Sequence, residues 1–543
     1  MNRVMNFINK TSKRIKVHYL IVIVFIALFL TFGIPTLARF KNRSILDSTN
    51  LWDGSVATSY ASGTGTVSDP YIITTGAEFA FFASSCSTTG CPNTYFKLED
   101  DILLNDGSFN YTNSNLVYTK NGVDNNITPY QNNYAVLNKF NSLNNFSGYL
   151  DGNSFRIYGL FITNNDEEIA LFKNLTGEVK DLYLENTVMY GGHNTAGLAV
   201  NSDGATVTNV LVDGFIIGKN SNLSTSKNIE LSDISKNTSN DTNDTINYDI
   251  PFINGNITGI TLNGSYSTTN NSSTLKINNT EIDSGDFELD LNINSSTLNI
   301  DYITNSDTTF VLEDLYLEVT YDFSYSSGII SNSIDTTMNG IINKANIYGN
   351  MYSNGLVNNL TGTSTIINSY NKGTITGNTS NGLVNSINDN STSITITYSY
   401  NSGTLDGTNK YGLVNNIVDN SGYIGIGRCF NTTSDYIINN ISGSDLLINT
   451  VGTLTNGVRN GTITSGTVDI VSDFSNYARS NAFNEFVDLE DINTNPTNIW
   501  VYDTLPILYI DDINNPIASI NINNSSWNSI GYRLRTYKFS SSF

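Results

Sequence analysis

A Gly-Leu-Val tripeptide returns along this chain at a nearly fixed step, which is what a stack of equal units requires. Gly328-Ile329-Ile330, Gly355-Leu356-Val357, Gly382-Leu383-Val384 and Gly412-Leu413-Val414 stand 27, 27 and 30 residues apart (355 − 328, 382 − 355, 412 − 382). Ahead of the last two markers run Ser369-Tyr-Asn-Lys-Gly-Thr-Ile-Thr-Gly377 and Ser399-Tyr-Asn-Ser-Gly-Thr-Leu-Asp-Gly407. A weaker copy, Cys429-Phe430-Asn431, follows 30 residues after Ser399-Tyr400-Asn401 (429 − 399), and Gly197-Leu198-Ala199 is an upstream member.

Each unit holds two or three short apolar runs cut by Gly and Asn, none long enough or correctly spaced for an amphipathic helix. One such unit cannot bury its own apolar side chains, but a pile of them can. Each Ile, Leu or Val then rests on its equivalent one rung away, and parallel strands pair coil to coil about 4.8 Å apart. The expected fold is all-β, a right-handed parallel β-helix. Leu356, Leu383 and Leu413 mark its core as a single column, with the matching Tyr and Asn residues in ladders.

Composition supports a folded chain. Aromatic residues make up 11% of the 543, and charged residues only 14%. Asn and Gly suit turns with positive φ, while Ile, Val, Tyr and Thr suit the strands between them. A net charge of -22 argues against nucleic acid, which calls for a basic footprint.

The N-terminus sets the compartment. Arg3, Lys10, Lys13, Arg14 and Lys16 precede an apolar segment over about 19–38, which keeps the N-terminus inside and delivers the rest outside. Cleavage near Thr36-Leu37-Ala38 and retention as an anchor both fit, since the stretch reaches the span of about 20 residues a bilayer needs. The body is therefore expected on the outer face of the cell membrane or secreted.

The division expected is residues 1–40 as basic segment and signal or anchor helix, 51–218 as cap and first coils, 219–325 as an insert, 326–510 as repeat coils and 511–543 as a tail. In the first half, strands such as Phe155-Arg-Ile-Tyr-Gly-Leu-Phe-Ile162 and Val179-Lys-Asp-Leu-Tyr-Leu184 fit the coil scheme. Thr75 and Glu78 form a capping-box pattern ahead of a short apolar helix, suited to shielding the end of a solenoid. Residues 219–247, rich in Ser, Thr, Asn and Asp, read as a mobile linker. Period-two strands from Ile257 to Tyr321 then suggest an inserted antiparallel β-sandwich-like module.

Phe146-Ser-Gly-Tyr-Leu-Asp-Gly-Asn153, the strand after it, Ala170-Leu171-Phe172 and the later Gly-Leu-Val units resemble the GLUG-type repeat region of bacterial surface and adhesin-like β-helix proteins. Trp52-Asp-Gly-Ser55, Asp69-Pro-Tyr-Ile-Ile73 and Glu78-Phe79 resemble the cap of that group. Trp500 with Leu505-Pro506-Ile507-Leu508 resembles its closing strand. The resemblance covers about residues 51–218 and 326–510. It implies a surface β-helix and carries no catalytic residues.

Nothing in the sequence assembles chemistry. His18 stands at the membrane edge and His193 in a Gly191-Gly-His-Asn turn, where a solvated loop residue is expected. No zinc spacing, phosphate loop, nucleophile elbow or calcium ladder occurs, so no cofactor or metal is expected. The acid runs Glu99-Asp100-Asp101 and Asp166-Glu-Glu168 read as solvated turns. Cys86 and Cys91 allow a local disulfide outside the cell, with two unpaired thiols as the alternative. Cys429 reads as a small core residue. The expected function is a non-enzymatic, adhesin-like surface protein contacting glycan or a host or cell-surface protein. The alternatives are a polysaccharide lyase or glycosidase on the same scaffold, and an envelope component of no activity.

Overall fold

The computed structural model describes residues 50–470, apart from 239–241, 250–254, 270–273, 278, 293–296, 305–307, 419–421, 443–445, 453–456 and 461–464, together with 500–502 and 506–508. The apolar segment at about 19–38 and the tail at 511–543 lie outside the described residues. Among the described residues, no helix is long and apolar enough to cross a membrane.

The body is a parallel β-solenoid. Three facets each carry an unbroken inward column, because strands pair with the same strand one coil on. The first facet stacks Phe96, Leu150, Val179, Val207, Met338, Ile366, Ile396, Ile426 and Ile448. The second stacks Leu143, Phe172, Ala199, Ile330, Val357, Val384, Val414 and Ile438. The third stacks Ile162, Met189, Ile216, Ile347, Ile375 and Leu405. All of these residues belong to one core. Leu356, Leu383 and Leu413 lie in it too, with the Leu356 amide donating to Leu383 O at 3.0 Å and Leu383 to Leu413 at 3.2 Å.

The glycine of the repeated tripeptide has a steric cause. A Cβ on Gly328, Gly355 or Gly382 would run into the carbonyl oxygen of Gly355, Gly382 or Gly412 respectively. Coils touch backbone to backbone at this corner, so only glycine fits.

The Ser-Tyr-Asn triplet is equally explained. Tyr370, Tyr400 and Phe430 stack at 4.8 and 4.4 Å between ring centroids. Beside them the side chains of Asn343, Asn371, Asn401 and Asn431 form a buried ladder, with amide-to-oxygen distances of 2.6, 2.8 and 2.9 Å. Each amide of Asn343, Asn371 and Asn401 also donates to the backbone carbonyl two residues on, satisfying the turn. Cys429 takes the place of Ser399 and Ser369. It is fully buried, and burial pushes its thiol up to about 12, which leaves it unreactive.

The one α-helix among the described residues, α1 (Gly76–Thr89), packs Phe79, Phe82 and Cys86 onto the first coils. Thr75 caps it, and the Glu78 carboxylate accepts from the Thr75 amide at 3.2 Å. The Cys86 and Cys91 sulfurs are bonded across its C-terminal end.

Two excursions leave the solenoid. Strands Ser108–Thr112, Asn115–Lys120 and Val123–Ile127 form an antiparallel meander over the third facet, where Phe109 stacks on Phe161 at 5.8 Å. The larger one leaves after Ile217 and returns at Tyr325. One coil later the same corner needs only residues 349–351. It holds a five-stranded and a four-stranded antiparallel sheet around a core of its own, with Leu262 and Leu317 from one and Leu298 and Ile300 from the other.

The linker expected at 219–247 is corrected. Leu223–Glu230, Ile234–Thr238 and Thr242–Asp249 are strands. The first two pair with the long strand Thr308–Phe323, whose backbone supplies the order that their polar composition hides.

Candidate functional site

The outward side of the first facet carries a well-formed cleft. Pairing puts Tyr95 on Tyr149 and Lys97 on Asp151. The next strand adds Glu178 beside Tyr149 and Lys180 beside Asp151. These six side chains line a cleft of 460 Å³ whose apolar lip is Val67 and Pro70. Alternation along each short strand sends Phe96 and Leu150 into the core and leaves the flanking residues outside.

The tyrosine rings lie parallel, 4.2 Å apart at 2°. Their positions are fixed by the backbone. The Tyr95 amide donates to Gly65 O and the Tyr149 amide to Thr94 O, both at 2.9 Å. Gly148 allows this approach, since a Cβ there would meet Cys91 O at 2.7 Å and Thr94 O at 2.8 Å. Lys180 pairs with Asp151 at 3.4 Å, and Lys97 with Glu99 at 3.6 Å. The Tyr95 hydroxyl is held above its ordinary pKa, chiefly by loss of solvation, with the Tyr149 hydroxyl and the Glu178 charge adding to it. A stacked phenol pair flanked by two cations and two carboxylates puts aromatic and hydrogen-bonding groups on one surface.

The acid runs fall out differently. Asp166 pairs with Lys173 at 2.8 Å and is half exposed, a solvated turn as expected. Asp101 is corrected: it is not a solvated turn acid but the partner of Arg156 from the next coil. The Arg156 backbone amide reaches it at 2.8 Å, and the guanidinium at 3.1 and 2.7 Å. Arg156 also faces Glu185 at 3.5 Å. Burial pushes the Glu185 carboxyl up. The Arg156 charge opposes this, while Asp213 and Asp101 add to it. Burial works against the Arg156 charge, and the two carboxylates more than offset it. The side chains of Asp101 and Glu185 are 15% and 13% exposed, so this carboxylate pair ties coils together rather than meeting a substrate.

His193 is also corrected. The turn that carries it is buried where the insert joins the solenoid, and the residue is 7% exposed. Its carbonyl accepts from the Tyr325 amide at 2.7 Å, and its ring lies 6.5 Å from Phe323. Burial first and Lys219 second lower its pKa, against smaller opposing effects of Ser221 and Glu167. Among the described residues, no group of His, Cys, Asp and Glu could hold a metal ion.

No family model matches this sequence. No curated protein matches it either. A solved structure from Bacteroides ovatus, described as a "putative immunoglobulin A1 protease", aligns over 83% of this chain and 95% of its own. The two share 13% identity with a TM-score of 0.33, a likeness that carries no argument about activity.

Proposed function

We propose that this chain is a non-enzymatic, surface-displayed or secreted protein that holds a carbohydrate in the Tyr95–Tyr149 cleft. In this reading the solenoid is right-handed and of the GLUG-repeat, adhesin-like kind. The segment at about 19–38 takes the body outside, and the partner is a glycan on a cell or matrix surface. The supporting observation is the parallel tyrosine pair flanked by Lys97, Asp151, Glu178 and Lys180. Aromatic edges and faces suit the C–H surfaces of sugars, while paired charges suit their hydroxyls. The net charge of -22 favours uncharged partners over nucleic acid.

The test is a glycan array probed with the exported chain and with its Tyr95→Ala/Tyr149→Ala variant. Binding by the first and its loss in the second is the expected result. Equal signals from both would remove the cleft from the account. Release of reducing sugar or unsaturated uronide from a bound glycan would replace binding with catalysis.

A further inference from the structure

Resting on that reading, we infer that the cleft is one end of a longer strip, and that the ligand is an extended, uncharged, β-linked polysaccharide lying lengthwise on the first facet. The column of Tyr95, Tyr149 and Glu178 continues through Thr206, Thr337, Thr365 and Thr395. Its neighbour, from Lys180, continues through Thr208, Asn339, Ile367 and Thr397. Formal charge therefore ends at Lys180, and the rungs beyond it are neutral.

The hydroxyls of this strip are unused. Among the described residues, those of Thr206, Thr208, Thr337, Thr395 and Thr397 make no hydrogen bond, and the Thr365 hydroxyl between them is unpartnered but buried. The second facet contrasts with this. There Asn174, Asn201 and Asn332 each donate to the Asn one coil back, at 3.3, 3.2 and 3.0 Å, and satisfy one another. The third facet is covered by the meander, whose core includes Phe161, Val188 and Ile217. On the first facet Thr206 and Thr337 are exposed, and Thr208, Asn339, Ile367, Thr395 and Thr397 are half-buried.

The spacing fits a chain rather than a single sugar. Rungs recur about every 4.8 Å, on the order of the 5 Å advance per ring of an extended β-linked pyranose, so successive rings meet successive rungs. Each rung presents two outward positions roughly 6.6 Å apart, enough to reach both edges of a ring.

The experiment is calorimetric titration of the full chain with β-1,4-linked glucose oligomers from dimer to octamer, with polygalacturonate as the charged control. Affinity should rise about tenfold or more from trimer to octamer, as added rings bind intramolecularly. Thr337→Lys/Thr365→Lys should abolish that rise and keep trimer binding, with an unchanged circular-dichroism melt showing that the fold is intact. Tyr95→Ala/Tyr149→Ala should weaken every oligomer. Trimer binding with no gain at greater length overturns the strip and spares the cleft. No binding of any oligomer overturns both. Polygalacturonate binding as well as the octamer overturns the uncharged ligand.

Discussion

The side-chain amide of Asn371 donates to the side-chain oxygen of Asn401 one coil further on, at 2.8 Å, and both residues are fully buried. Asn401 in turn donates to Asn431 at 2.9 Å. A ladder of this kind converts a purely apolar stack into one with a defined register, because a slipped coil would leave buried amides unpaired. Asn401→Ala breaks both links at once. It should cost about 2–4 kcal/mol, from buried groups each losing a partner at roughly 1–2 kcal/mol. Denaturant titration followed by tyrosine fluorescence would read this, since Tyr370, Tyr400 and Phe430 stack alongside. An unchanged midpoint would show that the ladder is incidental.

The glycine corner makes a separate prediction. Gly382→Ala places a methyl group against the carbonyl oxygen of Gly412, and coil contacts on both sides resist a shift. Overpacking of that kind costs about 1–3 kcal/mol. Gly204→Ala is the control: its φ is +65° but nothing lies within 4 Å of the added carbon, so only the backbone penalty of about 1 kcal/mol applies. Thermal melts should rank Gly382→Ala as the more damaging. The reverse order would mean that the close approach of the coils relaxes freely.

How much of this is legible in the sequence follows from how far apart partners lie. The repeats can be read because stacking like on like forces similar residues to recur, as at Leu356, Leu383 and Leu413. The reason for the glycine cannot, since it lies in a backbone contact. Tyr95 and Tyr149 are paired but stand 54 residues apart (149 − 95), because the meander interrupts the step between their coils. The available signal is the shared order of tyrosine, apolar residue and charge in Tyr95-Phe96-Lys97 and Tyr149-Leu150-Asp151. Asp101 looks like a turn acid for the same reason: Arg156 arrives from a coil 55 residues on. In the insert, Leu223–Glu230 reads as a linker because its partner begins beyond Thr308 and its exposed positions are all polar.

Removing Arg156 should expose the cost of the carboxylates it holds. Arg156→Ala leaves Asp101 and Glu185 largely buried without their cation, a loss of about 3–5 kcal/mol near neutral pH. The pH dependence has a definite sign. Glu185 already has a raised folded-state pKa, so its protonated form is favoured in the native protein, and stability falls as pH rises through that region. Without Arg156 the upward push is opposed only by the smaller effect of Lys344, so the deficit of the variant should be larger at pH 7.5 than at about pH 4.5. Chemical denaturation at both values would show this. Equal deficits would mean that the guanidinium contributes packing alone.

His193 should make the root of the insert sensitive to acid. Its pKa is lowered in the folded state, first by burial and then by the neighbouring Lys219 charge. The unfolded chain, with an ordinary value of about 6.5, therefore binds the proton more readily. Stability is full above that value and is lost as pH falls through it towards the folded-state pKa. His193→Gln cannot take up the proton, so it should flatten the decline between pH 7.5 and 5 while carrying a constant packing penalty. Hydrogen exchange of the Tyr325 amide, which donates to the His193 carbonyl at 2.7 Å, would localise the effect. Protection of that amide should fall with pH in the native chain and stay level in the variant. A parallel fall in both would place the acid sensitivity elsewhere.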